Sequence, residues 1–570
     1  MWGRRGKLDG ESDDLGFCRL HVLGAAKQGA RGRPLRSVGL RASGIEIVLA
    51  VCNLLVGSCA LAVASTAARA DGYAAVAAGN AATNPDAGIG AARIEPARTV
   101  RVPGSTLVTV RGAARGRPIP AGFLGLSIEY DAVEGYAGED PKAIDPVFVQ
   151  LIRNLTPARA PLLRIGGDST DWTWWPAPSV PRPPGVTYAL STGWVQVTRA
   201  LAQALRAHLI LGINLEADSQ EVAAAEVRSL TAGLGHASIE AFELGNEPEL
   251  YSSFGWYTDS NGISVPGRPP GYDFNAFMGE FSSLARAVSP APLAGPAIGN
   301  SRWFRSLRSF LAAEPRVRLV TLHRYPLYAC SAPSTSPVYS TVGKLLAPIS
   351  SSGLAASVAP YVRIAHARHL ALRVDEINAD SCGNAPAPAH GFGSALWVLD
   401  TLFEMARVGV DGVNIHTYPG ATCRLFTLER ISGTWSASVA PEYYGMLMFA
   451  QAAPPGSTLL PLFLAGGNPL RAWATRGRNG VIRVVLINDG NRRRRVALAL
   501  PATAATATLE RLLAPSILAQ QGVTLHGQSF GLQTETGLLT GSPRLASVNP
   551  SGGRYLVTLP ATSAAMLTIP

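Results

Sequence analysis

The chain has 570 residues, which is too many for one compact hydrophobic core and predicts two or three domains. Its 47% hydrophobic and 16% charged residues are typical of a folded globular protein and exclude a largely disordered one. Five of the eleven net positive charges fall in residues 1–70, and the only dense basic run beyond them is 492–495. The composition therefore does not predict a nucleic-acid partner.

Residues 1–70 are predicted to be an export leader. A basic stretch precedes an uninterrupted apolar segment at 45–64, and small residues follow it as far as Ala70. Because the segment is long enough to span a bilayer, cleavage, lipidation and retention as an anchor all remain open. We expect a secreted or cell-envelope protein that meets a membrane only through this segment, if it is uncleaved. Residues 71–95, rich in Ala, Gly and Asn, are predicted to be a flexible linker.

Residues 121–435 repeat one theme, a short apolar strand followed by a helical stretch. Helical patterns include 195–207 and 274–288. The strand patterns are 123–130, 162–167, 208–216, 241–248, 292–299, 318–326, 370–379 and 409–418. Eight such units over roughly 300 residues predict an α/β fold, a (β/α)8 TIM barrel. An open doubly wound sheet is the alternative, but no Gly-rich phosphate-binding fingerprint follows the first strand.

The pattern changes after residue 435. Segments such as 480–489, 495–501, 507–514 and 554–560 are short and β-rich, and Gly, Pro and Asn separate them. Residues 436–570 are therefore predicted to form an antiparallel β-sandwich. Strand-like residues within 96–120 precede the barrel and could join that sandwich.

Two glutamates are the candidate catalytic residues. Glu247 closes the fourth predicted strand in an Asn-Glu-Pro string, and Glu376 lies near the end of the seventh. In a TIM barrel the active site forms at the C-terminal ends of the strands, so these two carboxyls should face each other there. A retaining glycosidase needs one carboxyl to protonate the leaving oxygen and one to attack the anomeric carbon, about 5–5.5 Å apart. This requirement predicts Glu247 as acid/base and Glu376 as nucleophile.

Strand geometry also makes predictions for neighbouring acidic residues. Glu243 should lie one step deeper on the face of Glu247, and Glu249, which follows a proline, should face solvent. Strict alternation would point Asp375 away from the barrel lumen if Glu376 points inward. Glu129 at the end of strand one and Asp168 after strand two are predicted to line the pocket.

The chain resembles the retaining TIM-barrel glycosidases and, more narrowly, glycoside hydrolase family 79, the β-glucuronidase and heparanase-like family. The resemblance covers about residues 96–570. It rests on the strings at 162–175, 243–250, 323–326, 376–383 and 394–418. It implies hydrolysis of β-linked glucuronic acid or its 4-O-methyl form, without a metal or other cofactor.

The resemblance also implies roles for individual residues. Asn246 would bind the sugar 2-hydroxyl, and Tyr325 would hold the nucleophile. The residues implied to surround the substrate carboxylate are Ser381, Cys382, Gly383 and Tyr418. Two departures, the Pro/Ala-rich segment 384–393 and Ala379 where serine is common, bear on the sugar specificity.

Three cysteines lie beyond the leader. Cys330 and Cys382 both follow strands near the predicted active-site rim, so we expect them to form a disulfide, with Cys423 left over. Three reduced, buried thiols are the alternative. The sequence contains no CxxC pair, which argues against a structural zinc site.

The sequence thus predicts an exo-acting retaining β-glucuronidase with a uronic-acid-containing oligo- or polysaccharide as its substrate. Three alternatives remain. Two are enzymes, a β-xylosidase and a heparanase-like endo-glucuronidase. The third is a secreted carbohydrate-binding protein without catalysis.

Overall fold

A computed structural model describes residues 104–112, 116–157, 159–328, 332–381, 390–465, 469–501 and 505–570. Eight parallel strands in it close into a barrel, as predicted. These strands, called barrel strands one to eight, are Leu124–Ile128, Leu162–Ile165, His208–Ile213, Ile239–Leu244, Leu293–Ile298, Val317–His323, Ala371–Ile377 and Gly412–His416. Strand eight pairs with strand one and completes the ring. All eight lie within the predicted segments or within two residues of them.

Helices surround the barrel and connect its strands. The α-helices are Ala132–Ala137, Pro146–Leu155, Thr192–Leu205, Gln220–Leu234, Phe274–Ala287, Ser301–Phe304, Leu307–Ala313, Val342–Leu345, Ser352–His366, Phe392–Val408 and Pro441–Ala452. Short 3-10 helices are Asp168–Thr170, His236–Ser238, Pro248–Leu250 and Pro348–Ser350. Side chains of Asp145, Ser191, Ser219 and Asp273 accept N–H bonds from the first turns that follow them, which fixes where those helices begin.

Two sheets form the second domain. One sheet contains, in order, Leu462–Leu464, Thr106–Val110, Arg494–Ala499 and Arg554–Leu559. The other contains Thr458–Leu459, Leu470–Arg476, Ile482–Asn488, Ser563–Ile569, Ala507–Leu513 and Thr524–Leu525, with Ala546–Val548 paired to Ala507–Leu513. Apolar residues from both sheets share one buried core, which makes the domain a β-sandwich.

The N-terminal strand Thr106–Val110 lies inside the first sheet. It pairs antiparallel with Leu462–Leu464 and parallel with Arg494–Ala499. The sandwich therefore uses residues from both sides of the barrel in the sequence, and one of its strand pairs is parallel although an antiparallel sandwich was expected.

The expected boundary at residue 435 is too early. Helix Pro441–Ala452 follows it, where the sequence suggested only short strands, and packs against the barrel helix Phe392–Val408. Nearly all of its residues are buried, so it has no polar face and lacks the amphipathic periodicity that identifies a surface helix.

Three short strand pairs lie in the connections. They are Thr173–Trp174 with Tyr188–Ala189, Gly255–Thr258 with Ser264–Pro266, and Phe426–Ile431 with Thr434–Val439. Among the helices that the structure describes, none is long and apolar enough to cross a membrane. The predicted leader at 1–70 and linker at 71–95 lie outside the described residues.

Candidate active site

The two predicted catalytic glutamates meet at the C-terminal mouth of the barrel. One carboxylate oxygen of Glu247 and one of Glu376 lie within 4.8 Å of each other. The side chain of Glu247 is 21% exposed and that of Glu376 is 9% exposed, so a substrate can reach the first more easily. This separation is in the range that retaining glycosidases use, and it is too short to hold a water molecule as inverting enzymes do.

The loop after strand four places Glu247. Gly245 has a φ of 81°, and a Cβ on it would lie 2.6 Å from the Tyr251 hydroxyl, so glycine is required there. Asp171 accepts hydrogen bonds from the backbone N–H of Asn246 at 3.0 Å and from the Tyr251 hydroxyl at 2.7 Å. Glu247 itself has a φ of 46°, a conformation that costs free energy for a residue with a side chain. These contacts hold the acidic residue at a fixed angle over the barrel.

Arg164, in the middle of strand two, is the main site residue that the sequence analysis missed. Its guanidinium is fully buried and donates to Glu376 at 2.5 Å, to Glu243 at 2.9 Å and to the side-chain oxygen of Asn246 at 2.8 Å. The signal was available, because an arginine inside an otherwise apolar strand must have buried partners.

Glu376 is held as an anion. Tyr325 donates its hydroxyl to Glu376 at 2.8 Å, on the opposite oxygen from Arg164. Burial alone would raise the pKa of Glu376, but His416, His323, Arg164 and this hydroxyl outweigh it and lower the pKa well below the usual carboxyl range. An ionised carboxylate at neutral pH is what a nucleophile requires.

His323 links the two glutamates. Its Nδ1 lies 3.0 Å from Glu247 and 3.9 Å from Glu376, and its Nε2 lies 3.7 Å from Asp375. Burial opposes protonation, but Glu376, the hydrogen bond to Glu247, and Asp375 raise the pKa of His323 to about 10. The imidazole is therefore a cation at neutral pH.

The prediction that Asp375 points away from the lumen is wrong. Its side chain is fully buried and lies 3.8 Å from the Arg164 guanidinium, beneath Glu376. The register of strand seven shifts against strand six between Leu322 and His323, and against strand eight between Val374 and Ile377. These irregularities break the strict alternation on which the prediction depended. Burial and Glu243 raise the pKa of Asp375 well above its usual value, so this carboxyl is protonated.

The expectation that Glu249 faces solvent is also wrong. Its side chain turns back across the mouth and accepts the backbone N–H groups of Gly299 at 2.5 Å and Asn300 at 2.6 Å. Pro248 starts a single 3-10 turn, which carries Glu249 toward the loop after strand five instead of outward. The alternation of apolar and polar residues that predicts a strand does not predict a single short turn after it.

Asn246 lies where it could contact a sugar. Its side-chain oxygen accepts from Arg164 and its amide donates to Asp168 at 3.3 Å, so the orientation of the side chain is fixed. Asp168 is half-buried and Asn246 is buried beside it. The structure thus brings Asn246, Asp168 and the glutamate pair together at one edge of the mouth.

Glu129, just after strand one, lies next to Asp168. It accepts the backbone N–H groups of Asp168 at 3.2 Å and Ser169 at 2.8 Å, and pairs with His416 at 3.3 Å. Burial opposes the charged form of His416, but Glu376 and Glu129 raise its pKa. Tyr418 follows, half-buried, with its ring 5.3 Å from that of His416. Glu129 thus lies at the rim, where it orients His416.

The remaining predicted substrate residues are only partly described. Ser381 is exposed, and its backbone N–H donates to the carbonyl oxygen of Leu327 at 3.1 Å. Cys382 and Gly383 lie outside the described residues, as does Cys330, so the predicted disulfide does too. Cys423 is a free, buried thiol.

Two groups of side chains have the donor types of a metal site, Glu243–His323–Asp375 and Glu247–His323–Glu376. The Arg164 guanidinium already supplies positive charge to both, at 2.8 Å from Glu243 and 2.5 Å from Glu376. His323 is itself cationic, and a protonated imidazole cannot ligate a metal. The donor set therefore fits an acid–base site better than a metal centre.

Known proteins resemble this chain in sequence and in fold. The sequence profile of the glycosyl hydrolase family 79 C-terminal beta domain matches residues 472–566, within the β-sandwich. No curated protein sequence matches the chain significantly. A crystal structure of a 4-O-α-L-rhamnosyl-β-D-glucuronidase from Fusarium oxysporum 12S is 19% identical, with a TM-score of 0.64 over 81% of this chain and 100% of that chain.

Two arabinofuranosidase structures share the fold as well. The family 51 enzyme from Xanthomonas axonopodis pv. citri is 16% identical, with a TM-score of 0.59 over 82% of this chain and 100% of that chain. The family 51 α-L-arabinofuranosidase from Thermotoga petrophila RKU-1 is 14% identical, with a TM-score of 0.55 over the same shares. At these identities the likeness is one of fold. This chain therefore carries a C-terminal β-domain that matches that of glycosyl hydrolase family 79, together with a barrel that has the fold of these glycosidases and a carboxyl pair at its mouth.

Proposed function

We propose that this enzyme is a retaining, exo-acting β-glucuronidase in which Glu247 is the acid/base and Glu376 the nucleophile. The observation that carries the mechanism is the approach of the two carboxylates to within 4.8 Å across the barrel mouth. The environment of Glu376 supports its assignment as nucleophile, because buried cations and a tyrosine hydroxyl keep it ionised.

The reaction proceeds in two displacements. In the first, a Glu376 oxygen forms a bond to the anomeric carbon while the glycosidic C–O bond breaks, and Glu247 gives its proton to the leaving oxygen. In the second, Glu247 takes a proton from water, and the water oxygen displaces Glu376 from the anomeric carbon. The configuration is inverted twice and therefore retained. Arg164, His323 and Tyr325 offset the charge on Glu376 as it returns to a free carboxylate.

Glucuronic acid as the sugar is supported by the family 79 match and by the activity named for the Fusarium oxysporum structure. The cations Arg164 and His323 are engaged with protein carboxylates, and His416 pairs with Glu129. A substrate carboxylate would therefore be bound by neutral donors such as hydroxyl and backbone N–H groups, in keeping with the role proposed for Tyr418 and for residues 381–383.

A neutral pentoside is the second candidate substrate. Glu129 and Asp168 add carboxyl groups around the mouth, and carboxylates there would disfavour an anionic sugar by charge repulsion. Two structures of the same fold are arabinofuranosidases. We further propose that residues 1–70 export the enzyme and that an oligo- or polysaccharide is its natural substrate.

The test is turnover of 4-nitrophenyl β-D-glucuronide beside the β-D-xyloside and α-L-arabinofuranoside. We expect glucuronide hydrolysis with retention, and a loss of about 10⁴-fold or more in kcat for Glu376→Ala. Azide should restore turnover in that variant and give the inverted glycosyl azide, since a small anion fits the vacated space. Glu404→Ala, on a barrel helix away from the mouth, is the control and should keep full activity. Pentoside turnover without glucuronide turnover would replace the proposed substrate, and an active Glu376→Ala would refute the mechanism.

A further inference from the structure

Glu249 is a second carboxyl beside the acid/base, two residues further along the same loop. Its Oε1 accepts the backbone N–H groups of both Gly299 and Asn300. Its Oε2 is buried without a hydrogen-bond partner among the described residues. A surface glutamate would place its carboxyl in water, so this conformation ties the loop after strand four to the loop after strand five.

Gly299 runs between the two carboxyls. A Cβ on Gly299 would lie 2.8 Å from Glu247 Oε1 and 3.5 Å from Glu249 Oε1. The Glu247 carboxyl thus rests against the Cα of Gly299, and Glu249 holds the N–H of the same residue. The backbone N–H of Glu247 also donates to the carbonyl oxygen of Ala297, the penultimate residue of strand five, at 2.9 Å. Whatever fixes the 297–300 segment therefore fixes the surface against which Glu247 lies.

Other side chains approach Glu247 from strand six and the loop that follows it. His323, a cation, lies 3.0 Å from the Glu247 carboxylate. From the loop after strand six, Arg324 and Tyr328 face the same region, with the Arg324 guanidinium 3.4 Å from the Gly299 carbonyl oxygen.

Glu249 is not a solvated charge. Burial and the neighbouring Glu247 raise the pKa of Glu249 to about 8, so Glu249 is mostly protonated at neutral pH. Its contribution at the mouth is therefore its pair of hydrogen bonds to the backbone of Gly299 and Asn300 and not a negative charge.

We propose that Glu249 is a positioning residue for the acid/base: its hydrogen bonds to Gly299 and Asn300 fix the backbone against which the Glu247 carboxyl lies. The inference rests on the proposed role of Glu247. It adds a third carboxyl to the apparatus of the proposed function.

The test uses Glu249→Ala, which removes the acceptor of the two N–H groups, beside Glu249→Gln, which keeps an acceptor oxygen. Both variants are assayed on aryl glycosides of whichever sugar the wild-type enzyme hydrolyses, with a good leaving group (2,4-dinitrophenyl) and a poor one (phenyl). A defect in acid catalysis matters only for the poor leaving group. We therefore expect kcat/KM of Glu249→Ala to fall about tenfold or more on the phenyl glycoside and less than about twofold on the dinitrophenyl one. Glu249→Gln should restore most of the loss on the phenyl glycoside.

Three further variants make the result decisive. Glu247→Gln should show the same leaving-group dependence in stronger form, and Glu404→Gln should show none. Gly299→Ala places a Cβ 2.8 Å from Glu247 Oε1 and at ordinary contact distance, 3.5 Å, from Glu249 Oε1, so it displaces mainly the Glu247 carboxyl. It should behave like Glu249→Ala and carries the test if that variant does not fold. Equal losses on both leaving groups in Glu249→Ala and Gly299→Ala would overturn the inference while leaving Glu247 as the acid. Equal losses in Glu247→Gln itself would overturn the acid role, and this inference with it.

Discussion

At the scale of single residues, the site is a set of carboxyl groups whose protonation states are set by their neighbours. Glu376 lies between the Arg164 guanidinium and the Tyr325 hydroxyl and stays ionised. Asp375, the preceding residue in the chain, is buried against Glu243 and stays protonated. Two adjacent carboxyl side chains thus have different protonation states because their surroundings differ.

The hydroxyl of Tyr325 gives a direct test of how Glu376 is kept ionised. Removing it in Tyr325→Phe leaves the ring in place but removes a hydrogen bond to an anion, worth about 1.5–3 kcal/mol. The pKa of Glu376 in the folded enzyme should rise, so the acidic limb of the kcat/KM profile should move to higher pH. We expect kcat to fall about tenfold or more.

The matched control is Tyr443→Phe. Tyr443 is also fully buried, and its hydroxyl donates to the carbonyl oxygen of Leu151, away from the mouth. This variant should lower the melting temperature and leave the pH profile unchanged. If both variants gave the same pH profile as the wild-type enzyme, Tyr325 would not be a partner of the nucleophile in solution.

Sequence reasoning could find residues whose position in the chain already implies their place in a barrel. Glu247 and Glu376 end strands four and seven, so the topology alone brings them together. Sequence reasoning could not find the neighbours of these two glutamates whose orientation depends on local backbone geometry. Asp375 turns inward because of a register shift, and Glu249 turns back because of one 3-10 turn. Neither feature has a signature at the level of hydrophobic periodicity.

At the scale of elements, the loop after strand two organises the loops after strands three and four. Asp171 Oδ1 accepts the backbone N–H groups of Leu215 at 3.0 Å and Glu216 at 3.2 Å. Its Oδ2 accepts from Asn246 and from the Tyr251 hydroxyl. One carboxylate thus sets the spacing of three βα loops, and this spacing holds Glu247 over the barrel.

Asp171→Asn should therefore reduce activity more than a buried polar exchange usually does. The amide offers one acceptor oxygen where the carboxylate offers two, so one set of donors loses its partner and the loop after strand four is released. We expect kcat to fall about 100-fold, because small misplacements of a catalytic group are costly. Tyr251→Phe, which removes one of the four donors, should show a smaller loss. An unchanged kcat in Asp171→Asn would show that the loop after strand four is held without this clamp.

The elements themselves were predictable to different degrees. The eight barrel strands are near-continuous apolar runs, buried on both faces, and such runs identify parallel strands well. Helix Pro441–Ala452 was not predicted, because the feature that identifies a surface helix, one polar face, is absent when both faces are covered.

At the scale of the whole molecule, the barrel and the sandwich are joined by covalent connections and by an interface that combines apolar packing with polar contacts. Strand Thr106–Val110 enters the sandwich before the chain reaches the barrel, and the chain returns to the sandwich after helix Pro441–Ala452. At the interface Trp473 of the sandwich donates to Asp400 of barrel helix Phe392–Val408 at 2.9 Å. Phe403 of the same helix stacks on Trp473 with a centroid distance of 5.4 Å.

Arg471 is the centre of that interface. Its side chain is 16% exposed, and it lies 3.4 Å from Asp400, 3.1 Å from Asp489 and 2.6 Å from the carbonyl oxygen of Leu346. Both carboxyls are nearly buried, at 4% and 7% exposure, and burial raises the pKa of each. A single guanidinium therefore compensates two desolvated acids from different domains.

Arg471→Met should destabilise the fold by about 3–5 kcal/mol at neutral pH, measured as the free energy of unfolding in denaturant, because it leaves two buried carboxylates without a cation. The loss should shrink as the pH falls, since the pKa of each carboxyl rises further in the variant and protonation removes the uncompensated charge. Arg493→Met, in the exposed loop that connects strand Ile482–Asn488 of one sheet to strand Arg494–Ala499 of the other, should change the free energy by no more than about 0.5 kcal/mol. A destabilisation by Arg471→Met that stays constant with pH would mean that lost packing of the arginine side chain, and not its charge, holds the two domains together.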